Sequence, residues 1–232
     1  MKRFYKQAAP APREGGFGVE LDGRAIRTVG GRPQVVPSHA LASAMAAEWQ
    51  EQGEEIAPSS FVLRDMADYA IDVIAPDRAA TIASLIPYAE TDTLCYRADP
   101  DEALYARQRE MWEPVLTAAE TRHGLRFERV SGIIHRAQPA ETLATLRAVL
   151  EQADDFTLAA LRNMASLAAS LVVALAAIEP DADLDALWDA ASLEEEWQAN
   201  LWGRDEEAEE RRTKRRAAFH ASADFVRMAR AG

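Results

Sequence analysis

The chain has 232 residues, enough for one large domain or two small ones. Its composition, 48% hydrophobic and 28% charged, is that of an ordinary soluble globular protein. A formal net charge of -12 argues against a partner recognised through phosphates, nucleic acid above all, and against anionic membrane surfaces.

The opening segment, Met1–Gly16, has basic residues but no apolar core of signal-peptide length. Phe4–Gln7 reads as a short extended run. Phe17–Leu21 alternates around Gly18, Asp22-Gly23 is a strong hairpin turn, and Ala25–Val29 follows. Gly30, Gly31 and Pro33 break the chain again before Gln34-Val35-Val36. Residues 1–37 thus predict a small hairpin sheet, too small to stand alone. This strand-rich part could extend to about residue 95.

From Ser38, the expected N-cap of a first helix, the chain reads as mainly helical to residue 232. Leu41, Met45, Trp49 and Gln52 share one face, and Gly53 ends that helix. Further helices are expected over Phe61–Ile74, Asp77–Tyr88, Pro100–His123, Pro139–Ala153, Phe156–Ile178, Asp183–Trp202 and Asp205–Ala229, with a strand over Leu125–Val130. The apolar run Met164–Ile178 is shorter than the ~20 residues of a membrane span, and it reads as a helix buried on all sides. The expected fold is α+β: a small strand-rich N-terminal subdomain, then a larger all-helical C-terminal subdomain from about residue 100.

No catalytic constellation emerges. The glycine pairs lack the spacing and the Lys-Ser/Thr of a phosphate-binding loop, and no G-x-S-x-G elbow is present. The lone cysteine, Cys95, excludes an internal disulfide, fits a reducing compartment and reads as a small buried apolar residue. His39, His123, His135 and His220 form no H-E-x-x-H, and Glu120-Thr-Arg-His123 is a single Glu-x-x-His unit without its second copy. No metal, cofactor or ATP binding is therefore expected. The acid-then-base run Asp205–Arg216 offers i,i+4 pairs, Glu207 with Arg211 and Glu210 with Lys214. It reads either as a self-paired solvated helix or as a docking patch for an acidic partner.

The segment Asp183–Trp202, drawn as one helix, is apolar over about two-thirds of its circumference. Asp185, Asp189, Ser192, Glu196 and Asn200 form its wet face. Glu195 aligns with Leu184, Trp188, Gln198 and Trp202, and Glu194 falls near Leu187 and Leu201. A carboxylate in an apolar arc costs several kcal/mol unless it is paired. Glu195 therefore either meets an internal Arg or lies at the rim of a surface that another protein covers.

Six segments carry a family resemblance in order and spacing. They are Arg3–Lys6, Leu21–Arg24, Val36–Ser38, Ala47–Gly53 (with Glu48, Trp49 and Gln52), Thr91–Ala98 (with Asp92 and Arg97), and Leu193–Gln198 followed by Trp202-Gly203. From Arg3 to about Asp205 the chain resembles the assembly chaperones of the F-type ATP synthase alpha subunit. The resemblance implies a strand-rich part followed by a helical part, no catalysis, and a role in holding the free alpha subunit until the beta subunit arrives. It places the family's functional acidic residue at Glu195, with Glu194 or Glu196 as alternatives, and the tryptophan of the first-helix motif at Trp49. Glu195, Glu194, Trp188 and Trp202 are then the expected partner-binding residues, while Trp49, Glu48, Gln52, Asp92, Arg97, Gln198 and Gly203 make up the remaining motif. One departure is Ser59–Leu63, where the family often has Met-Pro-Leu. A monomer is expected, cytoplasmic in a bacterium, with relatives in the mitochondrial matrix. Two other classes stay open: an enzyme with a deep pocket of converging titratable groups, and a scaffold retained in its finished complex.

Overall fold

The computed structural model describes residues 1–132 and 136–231. His135 lies outside them. The chain divides into two compact units. The first comprises Met1–Ala80, Asp154–Ala160 and Ala221–Gly232, and the second Thr81–Ala153 with Leu161–His220.

In the first unit, strands β1 (Ala8–Arg13), β2 (Gly16–Leu21) and β3 (Arg24–Ala25) form an antiparallel sheet in the order β1-β2-β3. The hairpin between β2 and β3 turns on Asp22 and Gly23 at φ 48° and 78°, the left-handed pair that suits the twist of the flanking strands. The carboxylate of Asp22 also accepts from the backbone N–H groups of Lys6 and Gln7. The extended run expected at Phe4–Gln7 is instead irregular, and the chain forms β1 just after it, in a proline-rich stretch. Pro10 and Pro12 are tolerated because β1 is an edge strand with one paired side. Val36 joins β2 through reciprocal backbone hydrogen bonds with Phe17.

The sheet packs on α1 (His39–Gln50). Ser38 caps this helix, its Oγ accepting from the Leu41 N–H at 3.0 Å. Val19 and Val36 of the strand region and Leu41, Ala42 and Met45 of α1 are almost fully buried. Next come α2 (Val62–Tyr69), continued as a π turn over Ala70–Ile74, and α3 (Arg78–Leu85). Two carboxylates of this stretch tie down the glycine loop. Asp68 accepts from Val29 N–H and Gln34 Nε2, and Asp72 accepts from Thr28 Oγ1 and Gly30 N–H. A Cβ on Gly30 would lie 2.7 Å from the Asp72 carboxyl, so a larger residue there would push that carboxylate off its hydrogen bonds.

The second unit contains α4 (Pro87–Glu90), β4 (Tyr96–Arg97), α5 (Ala103–His123), β5 (Val130–Ser131) and α6 (Ala140–Gln152). Strands β4 and β5 pair in parallel, so the strand expected over Leu125–Val130 is confined to its last residue and the one beyond. The single helix expected over Phe156–Ile178 is two, α7 (Asp155–Ala168) and α8 (Leu171–Ala177). Ala169 takes a left-handed φ of 48° and the Ser170 hydroxyl caps α8 through Val173 N–H, so the chain breaks although its hydropathy is continuous. Asp183–Trp202 is likewise two helices, α9 (Leu184–Ala191) and α10 (Leu193–Trp202). Ser192 sits between them, its Oγ donating back to the Trp188 carbonyl, a bond that bends helices. The wheel drawn through both is valid only within each. The last helix is α11 (Glu206–Ala229). The fold is thus α+β, a small N-terminal sheet followed by a larger helical region. Among the described residues no helix is long and apolar enough to cross a membrane.

Candidate functional site

The motif residues of α1 bind their own unit together. Trp49 is buried against Tyr5 and Phe61, with ring centroids 5.6 and 4.4 Å apart, and the Arg64 guanidinium lies over the Phe61 ring at 3.9 Å. The Glu48 carboxylate accepts from the N–H groups of Leu63 and Arg64 at 2.6 and 2.9 Å, capping the start of α2. Burial raises its pKa against those hydrogen bonds. Gln52 accepts from Ala57 N–H and donates to Ser60 Oγ, fixing the connection from α1 to α2.

Asp92 and Arg97 hold the second unit. Asp92 is fully buried and accepts from the N–H groups of Leu94 and Val172 at 3.1 and 3.0 Å. Its burial pushes the carboxyl pKa up to about 6. Arg97 is also buried and donates to Glu113 at 2.6 Å; Glu113 accepts from Arg129, which in turn donates to Glu120. Cys95 is buried beside them, and the loss of water pushes its thiol pKa up, so it is not a nucleophile poised as thiolate. Among the described residues, no three His, Cys, Asp or Glu side chains converge as metal ligands.

The three adjacent glutamates of α10 meet three different environments. Glu194 turns its carboxylate to the buried Gln108, accepting from Nε2 at 2.7 Å, and desolvation raises its pKa although the residue as a whole is exposed. Glu195 accepts from Arg215 Nη1 of α11 at 3.0 Å, both side chains 44% exposed. The Arg215 guanidinium lies 5.6 Å from the Trp188 ring centre and donates to the Leu167 carbonyl. Glu196, expected on the wet face, instead bridges Arg204 at 2.8 Å and the buried Arg212 at 3.2 Å, with Glu209 closing the cluster. Ser192, at φ -95° and ψ 4°, separates α9 from α10, and the cations that Glu196 meets come from beyond α10.

The expected partner-binding residues separate in the same way. Trp188 is buried, packed on Phe219 with ring centres 5.5 Å apart, so its ring is part of the core and not of an open surface. Trp202 is 83% exposed and its neighbour Leu201 is 65% exposed, at the end of α10. Gln198 is exposed. Gly203 stops α10 with φ 100°, a conformation that glycine alone adopts readily. Arg215 and Arg212 went unrecognised in the sequence because the basic run had enough carboxylates within four residues to satisfy it. Glu207–Arg211 and Glu210–Lys214 do pair as expected, while Arg215 and Arg216 reach back to Glu195 and Asp185.

The profile of a family described as ATP12 chaperone protein matches residues 2–120, half of the chain. The chain belongs to this ATP12 chaperone family. It is 25% identical over 221 residues to the mitochondrial protein atp12 of Schizosaccharomyces pombe, covering 90% of this chain and 76% of that one. It is similar to the crystal structure of Atp12 from Paracoccus denitrificans, with a TM-score of 0.92 and 38% identity, covering 99% of this chain and 98% of that one. It is also similar to the Atu1473 protein of Agrobacterium tumefaciens, with a TM-score of 0.90 and 41% identity over 97% of this chain and 84% of that one. An ATP synthase assembly chaperone of this family needs a surface that a client can cover. The exposed indole of Trp202 and the half-exposed Arg215 have that character, since Trp and Arg are the residues whose burial most often anchors a protein interface.

Proposed function

We propose that this ATP12-family chain holds the free alpha subunit of the F-type ATP synthase and releases it as the beta subunit arrives, and that the outer face of α10 meets the client. One observation carries the reading: Leu201 and Trp202 are large apolar side chains left in solvent on the same helix as Glu195, which pairs with Arg215. An unassembled alpha subunit exposes the apolar surface its neighbours would cover, and such patches aggregate. A holder must mask that surface with an interface modest enough to be displaced, roughly 1,200–2,000 Å² with a few anchors. Trp202 and Leu201 supply apolar anchors. Glu195 and Glu194 supply negative charge that steers toward basic groups on the client and penalises wrong partners. The chain works as a binding protein without a catalytic step, in the compartment where the alpha subunit is made or imported.

Light scattering tests this directly. Alpha subunit diluted from denaturant is expected to stay clear in the presence of equimolar chaperone, and the chaperone is expected to leave the complex when beta subunit is added. Unchanged aggregation, or a chaperone retained in the finished assembly, would contradict the proposal.

A further inference from the structure

Helices α5, α8 and α9 of the second unit enclose an open groove of about 520 Å³. Its walls are apolar: Met111, Val115 and Ala118 from α5, Leu175 from α8, Ala186 and Leu187 from α9. Its polar lining consists of Arg122, His123, Glu179, Asp183 and Asp189. Arg122 and Glu179 pair at 2.5 Å and cancel each other. His123 has its pKa lowered by burial and by the neighbouring Arg122, so it adds no charge near neutral pH. Asp183, whose carboxylate caps α9 through Ala186 N–H, and Asp189 complete the polar lining as exposed acids, and among the described residues neither has a salt-bridge partner. On α11, Arg216 is hydrogen-bonded to Asp185 and feels the charge of Asp189 more weakly, while Arg212 is taken up by Glu196 and Glu209.

We propose that this groove is a docking site for a client segment that presents adjacent apolar side chains flanked by Lys or Arg. The volume lies in the range of well-formed ligand sites, ~300–1,000 Å³. A metabolite site of that size carries a few uncharged or precisely paired polar groups that fix orientation, whereas the polar lining here consists of one ion pair, one histidine and two exposed carboxylates. A fatty acyl ligand would bring its anionic head to a groove bordered by two exposed carboxylates without a salt-bridge partner among the described residues. A second copy of a chain with a net charge of -12 is repelled by the same field. A basic amphipathic segment satisfies both halves of the site: its apolar side chains fill the groove, and its cations meet Asp183 and Asp189. The alanine positions Ala118 and Ala186 leave room for close approach. The inference rests on the holding role proposed above and extends it to a second contact, separate from the outer face of α10.

The test uses fluorescence polarisation with a labelled peptide carrying leucines at i and i+4 flanked by lysines, and its glutamate-flanked counterpart, alongside capture of alpha subunit. Ala186→Phe, and Ala118→Phe from the opposite wall, fill the groove with apolar volume; Ala148→Phe on α6 is the control outside it. The full-length protein is expected to bind the lysine peptide at least tenfold better than the glutamate peptide. Either filling variant is expected to lose tenfold or more in binding with an unchanged or higher thermal midpoint, and the control to bind as the parent does. Equal binding by a folded filling variant, preference for the glutamate peptide, or concentration-dependent dimers abolished by Ala186→Phe would overturn the assignment. Peptide binding without capture of alpha subunit would uphold the groove and contradict the holding role. Alpha-subunit capture undiminished in both filling variants would uphold the holding role and overturn the groove.

Discussion

Glu195 of α10 accepts a hydrogen bond from Arg215 of α11 at 3.0 Å, and both side chains remain nearly half exposed. The pair reconciles two alternatives that the sequence left open, since Glu195 has an internal arginine and yet lies at a surface. An exposed pair of this kind contributes about 0–1 kcal/mol to folding, so its charge remains free to serve a partner. The neighbouring glutamates differ in kind, which gives α10 its own internal comparison.

Glu196 is expected to be the structural member of the three. It lies against Arg204 and Arg212, and Arg212 is buried. Glu196→Lys places a cation beside two guanidinium groups and is expected to cost about 1–3 kcal/mol, the usual penalty when a buried charged donor loses its acceptor. Urea denaturation measures it. A Glu196→Lys protein as stable as its parent would show that Glu209 alone satisfies Arg212.

Asp92 predicts a pH dependence with a defined sign. Its folded pKa, about 6, stands above the ordinary aspartate value because the carboxyl is buried. A raised carboxyl pKa contributes stability that is complete below the unfolded value near ~4 and is lost as pH rises through the folded value. The stability of the parent relative to Asp92→Asn is therefore expected to fall by up to about 3 kcal/mol between pH 4 and pH 7, and to be flat above. A difference independent of pH would show that Asp92 is already ionised throughout that range.

Trp49→Arg is expected to abolish function by loss of folded protein. Trp49 fills the space between Tyr5 and Phe61, so the substitution removes an indole from the core and puts a charge beside Arg64. The cost is on the order of 3–5 kcal/mol, comparable with the whole stability of many domains. Thermal unfolding decides it, and an unchanged midpoint would refute the packing role.

Trp202→Ala should do the reverse. The indole is 83% exposed, so folding should change by less than about 0.5 kcal/mol. Client capture should weaken by at least about 1–2 kcal/mol if the ring is an interface anchor. Capture at parental strength would remove Trp202 from the contact surface.

Much of the architecture was legible in the sequence because local rules and tertiary structure agree. Asp22-Gly23 turns a hairpin, Ser38 caps α1, and Leu41, Met45 and Trp49 face inward. The failures are sites where a side chain distant in sequence decides a local conformation. Nothing around Ala169 shows that Asp92 will accept the Val172 N–H and help start a new helix there. Strand β1 was hidden by its prolines, which only an edge position permits. In the candidate site, the exposed and apolar character of α10 could be read, but the arginines that α11 brings to its glutamates could not. A serine bonded to the carbonyl four residues back looks on a wheel like any helical serine.

The central claim is that Glu195 serves a client and not the fold, and a paired measurement on Glu195→Lys tests it most directly: thermal unfolding together with capture of purified alpha subunit. The account predicts a stability change of less than about 1 kcal/mol and capture weakened by roughly 2 kcal/mol or more, some thirtyfold. A Glu195→Lys protein that melts far earlier, or that takes alpha subunit as strongly as its parent, would contradict it.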